Sequence, residues 1–322
     1  MLSLDFSVWA KRGMAIKISV VIPCYQAEST IAELCERLEN SLTEITNNFE
    51  IILVDDGSQD RTWDFISRFA NAKSFIHGIK LSRNFGQHNA ITAGLECASG
   101  DWFVVMDCDL QDRPEEIINF YGKTQDGYQV VVGIRNERRD NLFKRASSLL
   151  FYSIFQRMTG SNFNKKMGNF GIYSKKVIDS VLELKEQHKS FGLMVLWVGF
   201  SRAEVNVTHD SRGSGRSNYR FTHRIALAVD SIVSHTNNLL YLAIKTGLFV
   251  SVTSLLFVSY LVTRFAFFGI TTEGWTSLAI SIYFTLGVML AAIGILGVYI
   301  GKVFNESKAR PIYIVESKTD EL

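Results

Sequence analysis

Apolar residues come along this chain in short blocks first and in two long blocks later. Ile18 to Cys24 (ISVVIPC) is a near-continuous apolar run, the pattern of a strand covered on both faces. Ser29 is placed to cap a following helix, on which Ile31, Leu34, Leu38, Leu42 and Ile45 recur at three- and four-residue spacing. A second strand is predicted at Glu50 to Val54, then a helix through Trp63, Ile66 and Phe69. The alternation continues with a strand at Phe75 to Leu81, a helix around Ala90 to Cys97, a strand at Trp102 to Met106, a helix after Pro114 and a strand at Gln129 to Ile134. Repeated strand and helix units predict an α/β, Rossmann-like fold: a mostly parallel, doubly wound sheet with helices on both faces.

The long blocks are of another kind. Thr246 to Thr263 is 18 residues without a charge and Gly274 to Gly301 is 28, each long enough to cross a hydrocarbon core as a helix. They predict a C-terminal two-helix transmembrane hairpin, with spans at 239–268 and 274–301 and a tail at 302–322; a buried soluble hairpin is the alternative. Lys245, Lys302, Lys308 and Arg310 flank its outer ends against Arg264 and Glu273 in the connection, so the sheet domain and both termini are expected in the cytoplasm of a multi-pass membrane protein.

Between sheet and hairpin, Arg135 to Lys166 holds eight basic residues against Glu137 and Asp140, with Leu142, Phe143, Leu149, Leu150, Ile154 and Phe155 forming an apolar side. That combination predicts an amphipathic interfacial helix at about 142–159 on an anionic membrane face. A soluble core helix with a solvated basic face is the alternative. A second amphipathic, juxtamembrane helix is expected at 219–238.

Composition adds limits. The 47% hydrophobic and 20% charged content exceeds ordinary soluble apolarity, and the long blocks account for the excess. A net charge of +2 is too small to argue for nucleic acid, and no nucleic-acid motif is present. Cys24, Cys35, Cys97 and Cys108 include no closely spaced zinc-type pair and read as reduced, cytosolic cysteines. Residues 1–16 read as a disordered extension, with Met14 an alternative start. The domain built on the sheet is placed at 17–218.

Ligands of such sheets bind beyond the carboxyl ends of the strands. Those ends carry Pro23 and Tyr25, Asp55 and Asp56, Arg83 and Asn84, Asp107 with Asp109, and Arg135. The stretch VVMDCDLQDRPE runs a strand into Asp107, Asp109 and Gln111, an all-oxygen donor set suited to Mg²⁺ or Mn²⁺. Capping of the helix at Pro114 and Glu115 is the alternative for these aspartates, and a simple turn is the alternative for Asp55 and Asp56. A nucleotide diphosphate bridged by a metal fits the rim, with carboxylates for base, ribose and metal and arginines for phosphate. Neither Gly-x-Gly-x-x-Gly nor Gly-x-x-x-x-Gly-Lys-Ser/Thr is present, which disfavours dinucleotide and P-loop sites. Arg212 and Arg216, in a Gly- and Ser-rich loop, are suited to phosphate; a solvated loop is the alternative. His88, His188, His209, His223 and His235 form no metal-ligand spacing.

The segments IPCYQAE, LVDDGSQDRT, LSRNFGQHNAITAGLECASGDWFVVMDCDLQDRPE and VVGIRNERR resemble the successive motifs of glycosyltransferase family 2, GT-A fold. The likeness is closest to bacterial polyprenyl-phosphate glycosyltransferases, relatives of dolichol-phosphate mannose synthases. It continues through FKRASSLLFYSIF, RGSGRSNY and YIGKVFNESKARPIYIV and covers Lys17 to about Val315. The resemblance implies an inverting, membrane-anchored, metal-dependent hexosyltransferase of the bacterial inner membrane. Its donor would be a nucleotide-sugar, UDP-linked, and its acceptor undecaprenyl phosphate, for surface polysaccharide or O-antigen modification.

The implied roles fall on particular residues. Asp109 and Gln111 would ligate the metal, with Asp107 near ribose and metal. Pro23, Tyr25, Asp55, Asp56, Arg83 and Asn84 would hold the donor, and Arg135, Arg145, Arg212, Arg216 and Ser217 the acceptor phosphate. One departure stands out. Where the family usually has Gly-Asp-Phe-Arg, this chain has Gly168, Asn169, Phe170 and Gly171, so an amide replaces a proposed base. Gln87 and His88 also replace the usual Lys-Glu pair. A processive polysaccharide synthase is disfavoured because its Gln-x-x-Arg-Trp is absent, the nearest form being Gln156, Arg157, Met158. A non-catalytic scaffold binding nucleotide-sugar is the reading from another class. The PIYIV tail is expected to pair as a strand with a neighbouring copy, giving a homo-oligomer, or with its own domain.

Overall fold

The computed structural model describes residues 16–135, 167–187, 189–208, 238–268 and 274–319. Its elements run β1 (Ile18–Cys24), α1 (Ile31–Thr43), β2 (Phe49–Asp55), α2 (Thr62–Ala72), β3 (Ile76–Leu81), α3 (Gln87–Cys97), β4 (Trp102–Val105), α4 (Glu116–Thr124), β5 (Val130–Arg135), β6 (Met167–Ser174), α5 (Lys175–Leu182), α6 (Phe191–Val198), β7 (Arg202–Val207), α7 (Asn238–Phe268), α8 (Trp275–Ser307) and β8 (Val315–Lys318). Two compact units divide the chain. The first contains the sheet together with Arg310–Leu322; α7 and α8 lie in the second.

In the eight-stranded sheet the order is β7, β5, β6, β4, β1, β2, β3, β8. Strands β3, β2, β1 and β4 are parallel. The sheet is mostly parallel, as expected, but β6 enters between β4 and β5 and is antiparallel to both. Its sequence, MGNFGIYS, has two glycines and no strict alternation, so periodicity alone does not mark it as a strand.

The apolar runs are explained by burial on two faces. Ile18, Val20, Ile22 and Cys24 of β1 join Ile31, Leu34, Cys35, Leu38 and Leu42 of α1 in one core cluster. On the opposite side, Val21, Ile52, Val54 and Ile79 pack with Ala90, Ile91 and Leu95 of α3 and with Val177 and Ile178 of α5. Period-two strands thereby feed both layers at once. Ser29 does not cap α1: the N-cap is Thr30, which makes no side-chain cap bond, and its hydroxyl instead donates to the Ala27 carbonyl at 3.2 Å.

Across the sheet from the strand ends that carry the candidate site, Glu50 is buried and ties three segments together. It accepts from the Ser19 hydroxyl at 2.5 Å and the Ser99 amide at 2.7 Å, and pairs with Lys17 at 2.6 Å. Burial alone pushes its carboxyl up, but the bonds from Lys17, Ser19 and Ser99 outweigh that and hold it below the usual carboxylate range. A carboxylate depressed in the folded state stabilises above its unfolded pKa, and that contribution is lost as pH falls through the folded value. Glu50→Gln is therefore expected to cost about 1–3 kcal/mol near neutrality, the range for hydrogen bonds to a charged group. The gap to the unaltered protein should begin to shrink below about pH 4, where the unfolded carboxyl is protonated, and close once pH falls below the folded value. Chemical denaturation of both proteins across pH reads it; a gap independent of pH would overturn the assignment.

The tail returns to its own domain. β8 pairs antiparallel with β3, covering an edge, and Ser82 donates to the Ile314 carbonyl at 2.9 Å. Lys80 pairs with Glu316 at 3.2 Å and the Tyr313 hydroxyl donates to Glu96 at 2.5 Å. The last part of the expected tail is thus a strand of the sheet domain, and helix α8 extends to Ser307, beyond the expected end at 301.

Within the second unit, Tyr299 of α8 hydrogen-bonds the backbone of Leu240 at the start of α7. Among the described residues one stretch, Phe284–Ser307, is long and apolar enough to cross a membrane, with mean hydropathy 2.1; the apolar part of α7, Ala243–Phe257, is shorter. The interfacial helix at 142–159, Arg145, Arg212, Arg216, Ser217 and nearly all of the juxtamembrane helix lie outside the described residues, as does most of the N-terminal extension.

Candidate active site

The chain runs from β1 to β2 and β3 on one side, then crosses to β4 on the other side of β1. The crevice beyond the carboxyl ends of β1 and β4 is where a doubly wound sheet accepts a ligand, because the loops there diverge. Tyr25 follows β1 and is exposed, whereas Pro23 within the strand is buried. Asp107 and Asp109 follow β4.

At the end of β2 two adjacent aspartates have different surroundings. Asp55 is fully buried; one carboxylate oxygen accepts from the Ser58 amide at 3.0 Å and the other, Oδ2, has no hydrogen-bond partner among the described residues. Burial pushes its carboxyl above the usual range, against the pull of Ser58. A buried acceptor without a donor is costly and marks a place for a ligand N–H or O–H.

Asp56 is occupied otherwise. Its two oxygens accept from the amides of Phe85, at 2.7 Å, and Gly86, at 2.9 Å. Both oxygens thus clamp the 82–86 turn, and each keeps a second lone pair for a further donor. That turn also crosses Gly57, which sits at φ +67°, and a Cβ there would lie 2.4 Å from the Arg83 carbonyl carbon. Arg83 and Asn84 are consequently presented on the rim, exposed, with the Arg83 guanidinium 4.4 Å from the centre of the Phe85 ring.

Neither Asp107 nor Asp109 caps α4, which begins at Glu116 with Glu115 as its N-cap. Asp107 accepts from Gln87 Nε2 at 2.5 Å. Asp109 accepts from the Gln111 amide at 3.2 Å, across Leu110 at φ +59°. A left-handed leucine is uncommon and folds the loop back so that 109 and 111 share one side of a tight turn. The far end of the loop is pinned by Arg37, which donates from Nε and Nη2 to the two oxygens of Glu115, both at 2.8 Å. Among the described residues no group of three His, Cys, Asp or Glu side chains gathers as a metal site. The set of Asp107, Asp109 and Gln111 is two carboxylates and an amide, which fits a hard, partly hydrated cation such as Mg²⁺.

Asn169 arrives from β6. The antiparallel register aligns Val105, the last residue of β4, with Gly171, so Asn169 lies two residues before Gly171 on β6, at the end of the sheet where Asp107 follows β4. The Asn169 amide oxygen lies 3.9 Å from where a Cβ on Gly192 would be, at the start of α6, and the Asn169 carbonyl accepts from the Tyr173 hydroxyl at 3.2 Å. His88, read from the sequence as bland, accepts from the Phe191 amide at 3.4 Å and so joins α3 to the same turn of α6. Arg135 closes β5 beside Val207 of β7; its side chain lies outside the described residues.

The profile of Glycosyl transferase family 2 matches residues 19–182, the span that contains every one of these strand ends. The chain belongs to glycosyl transferase family 2. This glycosyltransferase is 34% identical over 302 residues, 94% of each chain, to the uncharacterized glycosyltransferase YkcC of Bacillus subtilis (strain 168). It is 33% identical over 305 residues to the uncharacterized glycosyltransferase sll0501 of Synechocystis sp. (strain ATCC 27184 / PCC 6803 / Kazusa), covering 94% of this chain and 95% of that one. A third relative, the undecaprenyl-phosphate 4-deoxy-4-formamido-L-arabinose transferase of Shewanella sediminis (strain HAW-EB3), is 34% identical over 304 residues, 93% of this chain and 91% of its own. In this glycosyltransferase the residues that pattern reading undervalued are Gln87 and His88. The signal for them was their departure from the Lys-Glu pair that the resemblance implies, which puts an amide beside Asp107 and an imidazole beside α6.

Proposed function

We propose that this glycosyltransferase moves a sugar from a nucleotide-sugar, UDP-linked, to the phosphate of a long polyprenol such as undecaprenyl phosphate. The observation that supports the reading is that Asp107 and Asp109 directly follow β4, whose sheet neighbour β6 carries Asn169, in a chain alike along 93% of its length to a transferase named for undecaprenyl phosphate. A phosphate oxygen of the acceptor attacks the anomeric carbon from the face opposite the leaving group. The bond from that carbon to the nucleotide diphosphate breaks, and configuration inverts.

Asp55 takes a donor N–H or O–H with its unpartnered oxygen, and Tyr25, Arg83 and Asn84 line the rim around it. Asp107, Asp109 and Gln111 hold Mg²⁺ or Mn²⁺, which when bound offsets the charge developing on the diphosphate. A phosphate acceptor, with a second pKa near about 6, is already largely anionic at neutral pH. Asn169 therefore does not need to remove a proton; its amide orients the sugar or the phosphate. Arg135, Arg145, Arg212, Arg216 and Ser217 supply the acceptor's phosphate contacts, suited by charge and hydrogen-bonding capacity. The apolar stretch Phe284–Ser307, the charge-free part of α7 and the basic segment around 142–159 support anchorage to the inner membrane. A role in surface polysaccharide or O-antigen modification follows from the acceptor.

The detergent-solubilised full chain, given undecaprenyl phosphate, Mg²⁺ or Mn²⁺ and a panel of UDP- and GDP-sugars, is expected to yield lipid-linked sugar from one donor. Absence of product from every donor would refute the proposal and favour a binding scaffold. Asn169→Asp is expected to shift donor preference or lower the rate about tenfold or more, by setting a carboxylate beside the acceptor phosphate. Unchanged rates with every donor would remove Asn169 from the site.

A further inference from the structure

We infer that Cys24 and Cys108 form an oxidation site, a dithiol that peroxide closes into a disulfide between the two candidate metal ligands and the end of β1. The parallel register of β1 and β4 aligns Val21 with Val105, the last residue of β4, and the Met106 amide still donates to the Val21 carbonyl at 3.3 Å, so Cys24 and Cys108 each stand three residues further on at the same end of two neighbouring strands. Neighbouring strands lie about 4.8 Å apart. Disulfides accept Cα separations of about 4.4–6.8 Å. The two side chains share one core cluster: Cys24 is buried within it and Cys108 packs against it. All four cysteines are free thiols.

The pair is asymmetric in access. Cys24 is fully buried at the end of its strand, whereas Cys108 is partly exposed in the loop between Asp107 and Asp109. Peroxide therefore meets Cys108 first. The Cys108 thiol and one hydrogen peroxide give a sulfenic acid and one water; the Cys24 thiol then attacks that sulfur, the S–O bond breaks, a disulfide forms and a second water leaves. Two electrons pass from the dithiol to the peroxide. Proximity of the partners favours this second step over further oxidation of Cys108. A reductant such as dithiothreitol reverses it by thiol exchange. Residues 107 and 109 flank the bridging sulfur, so closure shifts both carboxylates relative to the rim.

The test uses the full chain in detergent, treated with hydrogen peroxide and then alkylated. The expected result is a mass loss of about 2 Da in one step, disappearance of two thiols together, and a cross-linked peptide pair containing residues 24 and 108. Transfer activity is expected to fall about a hundredfold, the cost of misplacing a reacting group by about 1 Å, and to return with dithiothreitol. The activity arm rests on the proposed transfer reaction. The mass and peptide arm does not, so a cross-link without measurable transfer supports the dithiol and counts against the proposed reaction alone. Cys24→Ala is expected to lose the cross-link and the reversible inactivation; should it fail to fold, Cys108→Ala serves the same purpose. A gain of about 32 Da at Cys108, the mark of a sulfinic acid, with Cys24 still alkylated would overturn the inference. So would reversible inactivation that persists in the single-cysteine variants.

Discussion

Asp109→Asn is expected to lower sugar transfer to polyprenyl phosphate by about 10²–10³-fold, the scale for removing one preorganised electrostatic group from a transition state. The fold should not change. Asp109 is only half-buried, stands in a loop rather than a strand, and the bond it accepts from the Gln111 backbone amide is one that an asparagine oxygen can also accept. What the amide lacks is the charge that holds a hard cation. Raising Mg²⁺ or Mn²⁺ should therefore recover part of the loss, and the variant's unfolding midpoint should lie within about 0.5 kcal/mol of the parent, as for substitutions away from packed features. Measuring transfer against metal concentration separates two explanations. A loss of apparent metal affinity places Asp109 on the cation; an equal loss at every metal concentration places its charge elsewhere. Asp107→Asn makes a stricter comparison, because Asp107 also anchors Gln87.

The parallel half of the fold was legible because each strand there is covered on both faces, so apolar runs such as ISVVIPC mark themselves without any knowledge of neighbours. The strand MGNFGIYS was not, since its fitness as a strand is set by what it meets: β4 on one side, β5 on the other, and a shift in register between Val132 and Ile134. Site residues divide in a similar way. Asp107 and Asp109 could be named because they end a strand in a recognisable run of oxygen donors. Asp55 and Asp56 are chemically equal in sequence, and only the 82–86 turn distinguishes them, by taking both oxygens of one and none of the other. The proximity of Cys24 to Cys108 depends on strand order, which a sequence 84 residues apart cannot disclose.

Gly171→Arg shows where resemblance and packing disagree. The family's usual Gly-Asp-Phe-Arg suggests that an arginine at this position would restore a lost function. In this chain Gly171 pairs with Val105 of β4 and with Val132 of β5, and a Cβ there would lie 2.6 Å from the Val131 carbonyl oxygen and 3.0 Å from the Tyr173 hydroxyl. Real Cβ atoms do not approach backbone that closely, so two central strands must part before any side chain fits. The expected outcome is a loss of about 3 kcal/mol or more, among the larger values for a point change, read as a collapse of the unfolding midpoint or of folded yield. Gly171→Ala isolates the cause. It carries the Cβ without the charge, and should lose most of the same stability; an alanine variant as stable as the parent would show that β6 can shift to admit a side chain. Asn169 and Gly171 then read as one adaptation. The backbone at 171 is drawn in against β5 where an arginine cannot stand, and position 169, two residues back along β6, holds a neutral amide in place of a carboxylate that would lack a cationic partner at 171.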